Sequence, residues 1–347
     1  MTPPRFLITH FVDLASFRTK EDLLAMDMSF YPISRTQRGP KTISGPFDSP
    51  PPFTVLTSIF EEERVSLSTA APTPTIHRIF QSNAGVTNYY LPVWRTANGS
   101  LSLDEAAGGG GRGGDGGAGS ASAPSWIVFF FDSGGGNEQP GYVMPSQVAW
   151  FNETAAGLAA RWGKVPIVAF MHIPLPEFMD LWNNGTVYGW NNDSIACQDV
   201  NSGLFDAFAA NGNVRLVVSG HNHQNNFCGT WRNVSLCYGQ HSGYGGYGIN
   251  GATITGSRVI ELYDGPVPVG RRPWEARRDG GAARILRIDG ADQDPFAVGG
   301  ATWGFATYIR HQDGTILPRG PTHPPCADNS GGVDGCVQTK CTDPLGP

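Results

Sequence analysis

Three histidines carry the chemistry this sequence offers. His221 and His223 stand two apart in the stretch Val214–Gly229, VRLVVSGHNHQNNFCG, and His172 follows the apolar run VPIVAF at 165–170. Neutral imidazole is a common metal ligand near neutral pH. Each histidine group falls just after a short apolar run that reads as a buried strand. In open α/β sheets, ligands bind at the carboxyl ends of the strands. Gly220, ahead of the first histidine, lets the backbone turn sharply without a Cβ clash. A lone histidine beside an apolar run is ordinarily structural. Three histidines from two strand ends on one sheet edge form a set, and the His-x-His spacing suits two metals about 3.5–4 Å apart.

The elements that must position this set are legible around it. Trp126–Asp132, WIVFFFD, reads as a central strand, and Asp132-Ser133-Gly134 as its turn, with Asp132 a turn residue. The segment GYVMPSQVAWFNETAAGLAARWG repeats apolar residues at Val148, Trp150/Phe151, Ala155, Leu158 and Trp162, which predicts a helix capped by Ser146. Residues 202–211 predict a short helix leading into the strand at 214. Further strands are expected at 86–93, 258–263 and 302–310, and a helix at 19–31 behind Thr19. Strand and helix in alternation predict an α/β fold. Low-complexity inserts are expected at about 46–83, 104–125 and 265–300, with a Pro/Gly/Cys-rich tail at 317–347. The 104–125 insert cannot bury apolar area and reads as a flexible linker.

Composition bounds the rest. The chain has 347 residues, enough for one large or two ordinary domains. Its 46 Gly and 27 Pro point to long loops. A net charge of -6 offers no basic stripe for nucleic acid. No apolar run approaches the roughly 20 residues needed to span a bilayer. Cys228 and Cys237 flank Trp231 as a hairpin closed by a disulfide would. Cys326, Cys336 and Cys341 read as a stapled tail, and the pairing of Cys197, Cys326, Cys336 and Cys341 stays open. Asn-x-Ser/Thr sequons stand at Asn98, Asn152, Asn184, Asn192 and Asn233. Cysteines and sequons together favour a secreted or vacuolar setting, although MTPPRFLITHFVDL is not a good signal peptide.

GHNH (220–223) and FMHIPLPEF (170–178) resemble the calcineurin-like metallophosphoesterases, and within them the purple-acid-phosphatase-like branch, class III. Further matches run in order: RTQRGP, Gly85-Val86 with NYYLPV, FFFDSG, GYVMPSQVAWF, NSGLF, FCG with LCYG, SGYGGYG, and the late strand from Tyr308 to Thr315. The resemblance implies a sandwich of two sheets flanked by helices, which hydrolyses phosphate monoesters with two metal ions (Fe, Zn or Mn). His172 and His221 would ligate one metal and His223 the other, and a bridging hydroxide would attack phosphorus in line. His241, in the Gly/Tyr loop near the His-x-His stretch, reads either as a pocket-lining substrate contact or as a solvent-facing loop residue, and Glu177 and Asn222 as residues that shape the pocket or fix its loops.

The sequence also departs from that family. It contains no GDxH, GDxxxxN or GNHD motif, which supply the carboxylates and the asparagine. The resemblance therefore implies a partial domain over 1–316 whose N-terminal half is missing. His10 lies where the GNHD histidine is expected and would assist at the leaving group, while Asp13 reads as a helix-entry acid. Three histidines can alternatively hold a single zinc. Two other readings stand beside the hydrolase: a non-catalytic secreted glycoprotein that kept the fold as a binding module, and a chain that is not stable alone because strand edges are left open. His77, His311 and His323 show no role, and Tyr244 and Tyr247 read equally as core or substrate contacts. The oligomeric state is not legible.

Overall fold

The structure is a computed structural model. It describes residues 88–95, 123–135, 141–242, 255–269 and 294–326, and the backbone of three short strands at 5–8, 55–56 and 101–102. The expected helix at 19–31, most of the three inserts, and His10, Asp13, His77, Asn98, Tyr244, Tyr247, Cys336 and Cys341 lie outside the described residues.

The described chain is mixed α/β. Strands β1 (Arg5–Ile8), β2 (Val55–Leu56), β3 (Tyr89–Arg95), β4 (Leu101–Ser102) and β5 (Trp126–Phe131) precede helix α1 (Pro145–Trp162). Then come β6 (Ile167–Met171), α2 (Glu177–Asn184), β7 (Val187–Tyr188), α3 (Leu204–Asn211) and β8 (Val214–Ser219). Strands β9 (Cys228–Trp231), β10 (Val234–Tyr238), β11 (Gly256–Tyr263), β12 (Phe296–Gly299), β13 (Gly304–His311), β14 (Ile316–Leu317) and β15 (Thr322–His323) complete it. One sheet runs β15-β7-β9-β10-β8-β6-β5-β3-β4 and the other β12-β13-β11-β1-β2, with β14 on β13. The centre of the larger sheet is parallel, from β10 through β8 and β6 to β5.

Strand β5 shows why these runs are apolar throughout. All six of its residues are buried. Ile127, Phe129 and Phe131 join the helices, with Phe151 and Leu158 of α1 and Phe205 and Phe208 of α3. Trp126, Val128 and Phe130 face the second sheet, against Ile260, Leu262 and Phe305. Parallel strands covered on both faces lose the hydrophobic alternation that marks half-exposed strands. Phe151 packs edge-on against Phe129 at 5.3 Å and Phe208 at 4.8 Å. Such aromatic pairs contribute about 0.5–1.5 kcal/mol each beyond the area they bury.

The start of α1 corrects the expected cap. Met144 is the N-cap and Pro145 opens the helix, so Ser146 lies inside it. The Met144 N–H donates to Gln147 Oε1 at 2.6 Å. Proline suits the first helical position because its missing N–H would have no partner there, and a glutamine at the third position can reach back to the cap. Gln147 is fully buried, and its Nε2 also donates to Asn88 Oδ1 and to the Asp132 carbonyl, both at 2.7 Å. The helix entry, the start of β3 and the end of β5 are thus one polar knot.

The β9–β10 hairpin closes as its cysteines suggested. Cys228 and Cys237 are directly opposite in the ladder and form a disulfide. Arg232 and Asn233 turn the hairpin with φ of 47° and 66°, the positive pair that two-residue hairpin loops use. Cys197 and Cys326 are also disulfide-bonded. Residues 316–323 pack on the body through β14 and β15, and the Cys326 N–H donates to the Asn183 carbonyl. Among the described residues no helix is long and apolar enough to cross a membrane.

Candidate metal and phosphate site

The register of the parallel strands assembles the histidines. Met171 pairs with Ser219, and Ser219 pairs with Tyr238. The next residues are therefore level: the Gly220 N–H donates to the His172 carbonyl at 3.0 Å, and the Gly239 N–H to the Ser219 carbonyl at 2.8 Å. Three neighbouring strand ends thus present His172 from β6, His221 and His223 from β8, and His241 from β10. All four side chains are half-buried.

Local backbone geometry turns His221 toward β6. The Asn222 N–H donates to the Gly220 carbonyl at 2.9 Å, and His221 between them has φ of 71°. A three-residue turn with a left-handed centre is rare and strained for a residue with a Cβ. Such strain concentrates at functional sites. The consequence is that His221 Nδ1 lies 3.0 Å from His172 Nε2, with the rings at 85°. One nitrogen donates and the other accepts; the tautomers decide which. His223 turns the other way and packs on His241, ring centroids 4.2 Å apart.

Neighbouring side chains hold this arrangement. Beyond His172, the Ile173 N–H donates to Ser133 Oγ at 2.9 Å, and Gln198 Nε2 donates to the Ile173 carbonyl at 3.0 Å. Gln198 Oε1 accepts the Val143 N–H. Asn222, between the two loop histidines, accepts the Tyr238 hydroxyl at 2.8 Å and donates to the Ser194 carbonyl at 2.8 Å. Asn225 brackets Asp193 through both its amide and its carbonyl. Asp132 Oδ1 accepts the Gly134 N–H, a turn role. Glu177 lies nearby on α2 but is buried against Asn201, and burial raises its carboxyl above the usual range.

Sequence reasoning did not single out Ser133, Gln198, Asn225 or Tyr238. Their partners lie 16 to 40 positions away along the chain. Only the register brings them together, although Ser133 does sit in the DSG turn that marked the end of β5.

The donors fit a metal in part. Two imidazole nitrogens, each about 2.0–2.1 Å from one metal, stand about 3 Å apart on adjacent corners of its coordination sphere. His172 and His221 have that spacing. Among the described residues, however, no group of three or more His, Cys, Asp or Glu side chains converges on one point. The trio His172, His221 and His223 therefore does not form the three-histidine zinc site considered from sequence, because His223 turns to His241. A carboxylate-bridged pair of metals needs acids that the described residues do not bring to the histidine pairs.

Comparison with known proteins follows the same line. No model of a known protein family matches the chain. A protein of Arabidopsis thaliana named "Probable inactive purple acid phosphatase 28" is 37% identical over 155 residues, covering 43% of this chain and 38% of that protein. "Probable inactive purple acid phosphatase 29", also from Arabidopsis thaliana, is 34% identical over 134 residues, 35% of this chain and 34% of that protein. "Probable inactive purple acid phosphatase 14", from the same plant, is 36% identical over 116 residues. The chain spans well under half the length of these curated relatives. Over the matched part, the chain is similar to these purple-acid-phosphatase-like proteins.

Proposed function

We propose that the chain carries the histidine side of a metal-dependent phosphoesterase site acting on phosphate monoesters. The supporting observation is the 3.0 Å approach of His172 to His221 at the ends of adjacent parallel strands. In this reading His172 and His221 hold one metal and His223 a second, beside His241. Fe, Zn or Mn would supply a nucleophilic hydroxide and neutralise charge on phosphorus. The chain's own part is to fix the imidazoles through Gln198, Ser133 and Asn222. His241 then faces a small phosphate ester as a binding group.

A second reading is favoured by the printed names of the relatives and by the lack of a converging ligand trio among the described residues. It is a binding module of the same fold without turnover. Two observations support a secretory setting for either reading. The described cysteines are in disulfides. Of the five sequon asparagines, the four described ones (Asn152, Asn184, Asn192 and Asn233) are exposed.

The test is metal content and turnover of p-nitrophenyl phosphate, with added Fe, Zn or Mn, in the purified chain and in His172→Ala, His221→Ala and His223→Ala. Metal binding that falls in His172→Ala and His221→Ala supports the site. Turnover lost in the same variants makes it a hydrolase, and binding without turnover makes it a module. Metal binding indifferent to both substitutions sinks the proposal.

A further inference from the structure

Arg258 of β11 belongs to the second sheet, yet its guanidinium reaches the histidine loop. The residue is 8% exposed. Its Nε donates to the Tyr238 carbonyl, one Nη to the Asn226 carbonyl at 2.6 Å, and the other Nη to Thr307 Oγ1 at 3.1 Å. The Thr307 hydroxyl in turn donates a hydrogen bond to the Val259 carbonyl at 2.7 Å. Every one of these acceptors is neutral.

A buried cation without a carboxylate is costly, and a well-packed apolar side chain of similar size is commonly as stable or more so. Burial lowers the guanidinium's pKa to about 9, so it stays charged at neutral pH. Stability alone therefore gives no reason for an arginine here. The geometry gives one. Asn226 closes the loop that leaves β8 with the two histidines, and Tyr238 ends β10. The planar fork spans both carbonyls from a fixed point on the other sheet, which a point cation cannot do. From these anchors the contacts run inward. The Tyr238 hydroxyl holds Asn222, the residue between His221 and His223. Asn226 Oδ1 accepts the Trp190 N–H, and its Nδ2 donates to Gln240, next to His241.

We propose that Arg258 is a positioning residue: it locks the second sheet to both ends of the β9–β10 hairpin and thereby sets where His221, His223 and His241 stand. It touches no ligand. The metal arm of the test rests on the phosphoesterase reading above, but the positioning itself does not.

The experiment uses the full chain, Arg258→Met and Arg258→Lys, with His221→Ala as control. Lysine keeps the cation but cannot bridge the two carbonyls, and it protects the test if the methionine variant does not fold. Imidazole ¹⁵N–¹H correlation spectra read the rings without metal. Cobalt(II) absorption reads binding. In folded variants the His221, His223 and His241 signals shift, and cobalt binds about 10–100-fold more weakly. Lysine does not rescue. If the original chain binds no cobalt but the ring signals still move, the metal reading falls and the positioning stands. Ring signals unmoved in a folded Arg258→Lys overturn the proposal.

Discussion

His221 offers the sharpest test of the site's construction. Its φ of 71° places a residue with a Cβ in the left-handed region, closed by the Asn222-to-Gly220 hydrogen bond. That conformation costs an L-residue about 1–2 kcal/mol, and glycine is free of the cost. Comparing His221→Gly with His221→Ala isolates the strain, because both variants lose the imidazole and its contact with His172. Glycine loses about 0.4–1 kcal/mol through its more disordered unfolded chain. Taken from the relieved strain, this leaves glycine ahead by about 1 kcal/mol. At an ordinary position the sign is opposite, with glycine behind alanine by about 0.5–1 kcal/mol. Equilibrium unfolding in urea at fixed pH measures the difference between the two variants. An alanine variant as stable as the glycine variant, or more so, refutes a strained turn at His221. It would also remove the reason for His221 facing His172.

Other expectations follow from the same contacts. Gln147→Leu takes three hydrogen bonds from a fully buried knot and should cost about 3 kcal/mol, read as a drop in the denaturation midpoint with an unchanged slope. Removing the disulfide as Cys228→Ala with Cys237→Ala opens a link of sequence separation 9, worth about 2.5 kcal/mol in loop entropy; a thermal melt that does not shift would contradict this. Glu177→Gln should change the pH dependence. Burial raises the folded carboxyl, so the folded state holds the proton more tightly than the unfolded one. Stability therefore falls as pH rises from the usual carboxyl range through the raised value. The glutamine variant keeps an acceptor for Asn201 and should be the more stable one at neutral pH, with the gap closing on acidification. A gap that widens toward low pH would reverse the sign and refute it.

The sequence determined the chemistry and its approximate address. Histidine types, the His-x-His spacing and the apolar runs before them placed three imidazoles at strand ends, because a buried parallel strand writes itself as an unbroken apolar run. The WIVFFF, IVAFM and VRLVVS segments are those strands. The Cys228–Cys237 hairpin was legible for a similarly local reason, since the two cysteines sit close along the chain. Tertiary structure decided which histidines meet. The pairings of Met171 with Ser219 and of Ser219 with Tyr238 set His172 level with the loop of His221 and bring His241 alongside. Spacing along the chain carries no trace of that register. The left-handed turn at His221 then splits the three expected ligands into His172 with His221 and His223 with His241. Arg258, Gln198 and Tyr238 stayed invisible for the same reason. Each acts through backbone groups and side chains far along the chain, and hydrogen bonds between distant strands leave no local pattern to read.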